Sequence, residues 1–182
     1  MSESYGVVTA TRTVRIERVL PGRIERVWEY LTDANLRGTW LASGPMELQV
    51  GGKVELNFYN SKLTPNHVEE IPEKFMPYAH EVRQWGTITK CDPPKLIAFT
   101  WDQGSKNPSE VMFELTARGE ETLLVVTHYK LPSRGQMVGV SSGWHTHLNV
   151  LEDKMRDMPP RPLWATLTRV MEVYEKQIPP EA

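Results

Sequence analysis

Apolar and polar residues alternate imperfectly over residues 13–20. Val14 and Ile16 share one side and Thr13, Arg15 and Glu17 the other, so the segment is predicted as a first strand, ended by Pro21-Gly22. The period then lengthens. Ile24, Val27, Trp28 and Leu31 fall on one side of a helix, and Thr32-Asp33 supplies its stop and the cap of a short second helix reaching Trp40. From Met46 the two-residue period returns as MELQV, a turn at Gly51-Gly52, and KVELNFY with Val54, Leu56 and Phe58 on one face. Residues 60–80 break the pattern with three prolines and mixed charge, which predicts a long surface loop with a helical turn over residues 68–74. Strands are predicted again over residues 85–91, 95–101, 110–117 and 122–131, separated by Pro-, Gly- and Asn-containing turns.

The helical period closes the chain. Ser142 is a candidate N-cap, Trp144, Leu148, Leu151 and Met155 recur on one narrow stripe, and Pro159-Pro160 stops the helix. Beyond it, Leu163, Leu167, Val170 and Tyr174 share one side of a second helix with Pro162 in its first turn. Sequential strands with short turns imply an antiparallel sheet, and helices grouped at the ends imply an α+β architecture. The economical packing is a curved sheet wrapped around the long C-terminal helix, with Trp101, Phe113, Leu124 and Val126 on the sheet facing the stripe.

Composition narrows the function classes. A chain of 182 residues with no low-complexity tract is expected to form a single domain over residues 1–182. Its 21 basic and 23 acidic residues create no field favouring nucleic acid, so no nucleic-acid partner is expected. No apolar run reaches membrane-span length and the N-terminal segment lacks a secretory pattern, which predicts a cytoplasmic protein with no membrane partner. Cys91 is the only cysteine, excluding an intrachain disulfide and a multi-cysteine metal cluster.

The candidate chemistry is sparse. His145 and His147 sit on opposite flanks of the helical stripe, so they diverge and no metal site is expected. Gly139-Val140-Ser141-Ser142-Gly143 matches the G-x-S-x-G nucleophile elbow, but the preceding LPSRGQMVGV is a poor strand and no triad partner follows at a distance. No catalytic residue is assigned on it. His128 shares a strand face with Leu124 and Val126, where an imidazole either orients a ligand or is a bonded core group. Trp40, Trp85, Trp101, Phe113 and Trp144 either line a pocket or fill a core. No phosphate loop, dinucleotide fingerprint or zinc-protease motif occurs, so no cofactor is expected.

Taken in order, VWEYLTD, Trp40, the glycine turn before KVELNF, CDPPKLIAFTW, SEVMFELTARGEETLLVVTHYKL and GWHTHLNVLEDKM resemble the activator of heat-shock protein 90 ATPase homologue family. That family lies in the START-like (SRPBCC) superfamily, with polyketide cyclases and lipid-transfer proteins. The resemblance covers residues 12–158 and leaves the 60–80 insertion and an additional helix over residues 162–178 outside its pattern. It implies a helix-grip fold with an internal hydrophobic cavity. The leading expectation is a small-molecule binding protein holding an apolar or amphipathic ligand, with Trp40, Trp85, Trp101, Phe113, Leu124, Val126, His128, Trp144, Leu148 and Leu151 around the cavity. Two alternatives stand beside it: a cyclase-like enzyme using His128 or Tyr59 to move protons, and a stress-response regulator contacting a heat-shock protein 90 chaperone. The eukaryotic activators carry a further N-terminal chaperone-binding domain, and only about a dozen residues precede the first predicted strand here. An exposed sheet edge or the final helix offers a surface for a homodimer.

Overall fold

The computed structural model describes residues 4–180. Seven strands, β1 (Val7–Ala10), β2 (Thr13–Pro21), β3 (Lys53–Phe58), β4 (Val82–Asp92), β5 (Leu96–Trp101), β6 (Ser109–Arg118) and β7 (Glu121–Tyr129), form one antiparallel sheet in the order β1-β2-β7-β6-β5-β4-β3. Helices α1 (Ile24–Thr32) and α2 (Ala34–Gly38) connect β2 to β3, and α3 (Arg134–Met155) and α4 (Leu163–Gln177) end the chain. This is the helix-grip arrangement, an α+β fold in which a curved sheet holds α3. No helix among the described residues is long and apolar enough to cross a membrane.

The sheet face toward α3 follows from strand alternation. In β2, Val14, Ile16, Arg18 and Leu20 are buried while their neighbours are half-buried, so the imperfect sequence alternation is one charged residue in the inward row. Arg18 is accommodated there because its guanidinium donates to Asn149 Oδ1 at 3.3 Å and to the Ser4 carbonyl at 2.6 Å. Phe113 pairs with Val126 and Leu115 with Leu124 across β6 and β7, giving the inner face on which Trp144, Leu148, Leu151 and Met155 are buried. Each fully buried leucine of that set contributes roughly 1.5 to 3 kcal/mol.

Several elements differ from expectation. Helix α3 begins at Arg134, not at Ser142; Ser133 is its N-cap, accepting from the Gln136 N–H at 3.1 Å. Gly135, Gly139, Gly143 and the Ser141-Ser142 pair lower helix propensity enough to hide this half, and tertiary packing overrides them. The buried surface of α3 is also broader than one stripe, because α4 covers the opposite side and encloses His145, Asn149 and Asp153. MELQV is not a strand. It contributes an isolated bridge, Met46 to Val54, beside β3. Strand β1, an exposed edge pairing only with β2, lies in the segment that read as a lead-in to the first strand.

The 60–80 insertion is a strap on α4. Its helical turn falls at Glu73–Tyr78 rather than at residues 68–74, with Pro72 as the N-cap position. Leading into it, the Glu69 carboxylate accepts the Leu163 and Ala165 backbone N–H groups, both at 2.8 Å. That is a borrowed cap: Pro162 occupies the α4 N-cap position and has no side-chain acceptor. Asn66 and His67 reach the Pro160 carbonyl at 3.1 and 2.9 Å, and Phe75 stacks on Trp164 at 6.0 Å between centroids. Arg161 and the buried Asp153 join the end of α3 to the start of α4 through two side-chain contacts of 2.8 Å.

Replacing Glu69 with alanine removes both acceptors at once. Stability to urea is expected to fall by about 1 kcal/mol, and Glu69→Gln, which keeps one neutral acceptor, is expected to lose less. Equal losses for the two variants would show that charge and geometry at this cap contribute nothing separable.

Candidate functional site

Where the first half of α3 leaves the sheet, a cavity of about 290 Å³ opens among four walls. The sheet supplies Phe58, Val82, Gln84 and Trp101; α3 supplies Gly139, Val140, Gly143, Trp144 and His147; α4 supplies Leu163, Leu167 and Met171; the insertion supplies Asn60, Phe75 and Tyr78. Most of this surface is apolar or aromatic. The Trp101 and Trp144 rings meet at 5.2 Å between centroids, and Phe58 packs edge-on to Trp101 at 5.9 Å.

Of the sequence-predicted cavity residues, only Trp101 and Trp144 line this space. Trp40, Phe113, Leu124, Val126, His128, Leu148 and Leu151 face the interior but are packed core behind it. Trp85 is a correction: it is 45% exposed, on the other side of β4. Gly86 takes the adjoining inward position, where an added Cβ would fall 1.9 Å from the Thr100 carbonyl, and strand alternation then turns Trp85 outward. Tyr59 likewise points away, 38% exposed beneath Lys62, whose Nζ lies 4.0 Å from its ring centre.

His128 is fully buried and holds a wall in place. Trp144 Nε1 donates to its Nδ1 at 3.1 Å, so the neutral ring carries its proton on Nε2, which lies 2.7 Å from Ser109 Oγ and donates to it. Burial pushes the imidazole down to about 3. Such a group is neutral throughout the physiological range, and both of its nitrogens are engaged. It therefore fixes the Trp144 indole and has no proton to exchange with the cavity.

The helical histidines diverge as their spacing requires. His145 Nδ1 lies 3.1 Å from Tyr174 Oη on α4, while His147 Nδ1 lies 2.8 Å from the Trp40 carbonyl. Burial pushes the His147 imidazole down, and its bond to that carbonyl partly offsets the effect. Among the described residues no group of three or more His, Cys, Asp or Glu side chains is placed to hold a metal. The G-x-S-x-G segment lies wholly inside α3, so Ser141 is not on a strand-to-helix elbow.

Two polar atoms in residues of the cavity wall have no partner among the described residues. Asn60 Nδ2 donates to the Tyr78 carbonyl at 3.3 Å, which leaves Oδ1 as a buried acceptor without a donor. Gln84 Nε2 is a buried donor without an acceptor. Sequence reasoning missed both, along with the contributions of Phe75, Tyr78 and Val82. Leu163 and Leu167 stood on the predicted apolar side of the last helix and Phe58 on that of KVELNFY, so a signal for those existed.

The family model described as "Activator of Hsp90 ATPase homolog 1-like protein" matches residues 22–155, and the chain belongs to that family. Among solved structures, the protein encoded by gene BPP1335 of Bordetella parapertussis is 40% identical, with 95% of this chain and 90% of that one covered and a TM-score of 0.79. CalU16 of Micromonospora echinospora is 22% identical, with 96% and 95% covered and a TM-score of 0.66. DynU16, a protein in the dynemicin biosynthetic locus, is 19% identical, with 84% of this chain and 51% of that one covered and a TM-score of 0.62. No match is found among curated proteins.

The buried neutral His128 carries a pH signature. Its folded value lies below the ordinary value of 6.5, so its contribution to stability is intact above that pH and declines as pH falls toward about 3. The slope is roughly 1.4 kcal/mol per pH unit for one proton taken up on unfolding. Replacing His128 with glutamine, which keeps an acceptor for Trp144 and does not titrate, is expected to flatten the stability profile between about pH 6 and 5 by close to that amount. An unchanged slope in urea titrations would place the ionising group elsewhere.

Proposed function

We propose that this member of the Activator of Hsp90 ATPase homolog 1-like family binds a small, largely apolar molecule with a polar edge in the cavity between α3, α4, the insertion and the sheet. The observation that carries the reading is the coincidence of an apolar space of about 290 Å³ with two unpartnered amide atoms in its wall residues. A cavity of roughly 150 Å³ accommodates benzene, so this one suits a molecule of about two rings. Burying a polar atom without a partner costs about 1 to 3 kcal/mol, and a ligand that engages it recovers part of that cost. The lining residues include the uncharged polar side chains of Asn60, Gln84 and Gln136, which suits a bicyclic alcohol or phenol better than a plain hydrocarbon.

Binding is favoured over catalysis by the same geometry. His128 lies behind Trp144, Tyr59 points away, and His147, the one imidazole in the wall, is held by the Trp40 carbonyl. His128 and Tyr59 therefore move no proton on a bound molecule, and His147 could do so only through Nε2, its Nδ1 being committed. The space holds, shields and releases.

2-Naphthol is a suitable probe, because its emission and absorption report on Trp101 and Trp144. Saturable quenching of tryptophan emission is expected, with a Kd tighter than about 1 mM from the usual free energy per ligand atom. Val140→Trp, which fills the space from α3, is expected to weaken binding at least about tenfold while leaving the fold intact. Leu148→Trp is not a suitable filling variant, since Leu148 is packed core and does not border the cavity. Absence of saturable quenching by the parent, or equal affinity in Val140→Trp, would sink the reading.

A further inference from the structure

Helix α3 carries glycine at positions 135, 139 and 143, four residues apart and therefore along one side of the helix. Glycine inside a helix is unfavourable relative to alanine, because it loses more backbone freedom on folding. A protein that keeps it there usually needs a close approach. Neither Gly139 nor Gly143 serves one: a Cβ added at either would meet nothing within 4 Å. The α3–α4 contact does not press on them, and both residues border the cavity. Gly86 is the contrast within the same molecule, since a Cβ there would collide with the Thr100 carbonyl.

We infer that Gly139 and Gly143 are specificity-determining residues of the ligand cavity, keeping the α3 wall at backbone level so that a ring-sized group can lie against the helix. The inference rests on the binding reading above. What it adds is that the open helix surface is part of the recognition surface, and that the cavity discriminates by thickness as well as by volume. Two methyl groups projecting into a space of about 290 Å³ would remove a substantial part of it. Asn60 and Gln84, which border the same space, each keep one buried polar atom without a partner among the described residues. The family resemblance of GWHTHLNVLEDKM begins at Gly143, so Gly139 lies outside that run.

The test separates a ligand role from a packing role by the sign of two effects. In Gly139→Ala and Gly143→Ala, the melting temperature is expected to rise by about 2 to 4 °C each, as the helix gains propensity without a clash. In the double variant, 2-naphthol affinity is expected to fall about tenfold or more. Gly135→Ala is the control: position 135 does not border this cavity, so affinity for 2-naphthol should equal that of the parent. A lower melting temperature in both single variants would show that the glycines serve packing or backbone geometry, and parental affinity in the double variant would show that the ligand does not reach them. Either result overturns the inference while the binding reading stands. A parent that fails to bind 2-naphthol removes the binding reading itself, and this assignment falls with it.

Discussion

A helix of 22 residues held between a sheet and a second helix must leave no polar group stranded, and α3 meets this constraint on each side differently. Toward the sheet it presents Trp144, Leu148, Leu151 and Met155, which need only apolar contact. Toward β2 and α4 it presents Asn149 and Asp153, which need partners, and Arg18 and Arg161 supply them. Its buried hydroxyls turn inward: Ser142 donates to the Val138 carbonyl at 2.7 Å and Thr146 to the Ser142 carbonyl at 2.8 Å. The inward Arg18 and the ion pair joining α3 to α4 are thus consequences of burying one helix from two sides.

The cavity is a consequence of the same arrangement. The second half of α3 lies flat on the inner face of the sheet, where Leu148 and Leu151 are fully enclosed. The first half carries glycines where large side chains would be needed to fill the gap to β3, β4 and α4. The remaining walls come from the insertion and α4, and α4 lies beyond the residues matched by the family model. Glu69 and the Phe75–Trp164 stack fasten these two walls to each other. The sheet and α3 supply the grip, and the insertion and α4 enclose the pocket.

Strand alternation and helical period made the sheet, α1 and the second half of α3 legible, because their apolar residues are spaced by the element that buries them. The first half of α3 was hidden because glycine and serine carry no apolar period, and its helix is held by Ser133 and by tertiary contacts. MELQV read as a strand from its composition, although only Met46 bridges to β3. The site was less legible than the fold. Aromatic residues on inward faces indicate a core, and nothing in their spacing says where packing will be incomplete. Trp101 and Trp144 reached the cavity, Phe113 and Trp40 did not, and Trp85 turned outward because a glycine beside it takes the crowded inward position. The insertion's role depended on a contact between Glu69 and Leu163, 94 residues apart, beyond the reach of local patterning.

Histidine gives the sharpest separation between structure and function. His128 is fully buried on the inner face and looks like a catalytic candidate in sequence, yet its two nitrogens are taken by Trp144 and Ser109. A polar group with its partners already in place is part of the framework, and its depressed imidazole pKa records the cost of that placement rather than readiness for chemistry. His147 is tied to the Trp40 carbonyl through Nδ1 alone. Asn60 and Gln84 are the opposite case: they adjoin the cavity, each keeps one buried polar atom without a partner, and neither has a charge to move. An apolar space bordered by a few uncharged polar side chains is what a binding site for an uncharged or weakly polar molecule requires, since apolar contact then supplies affinity and the polar groups orientation.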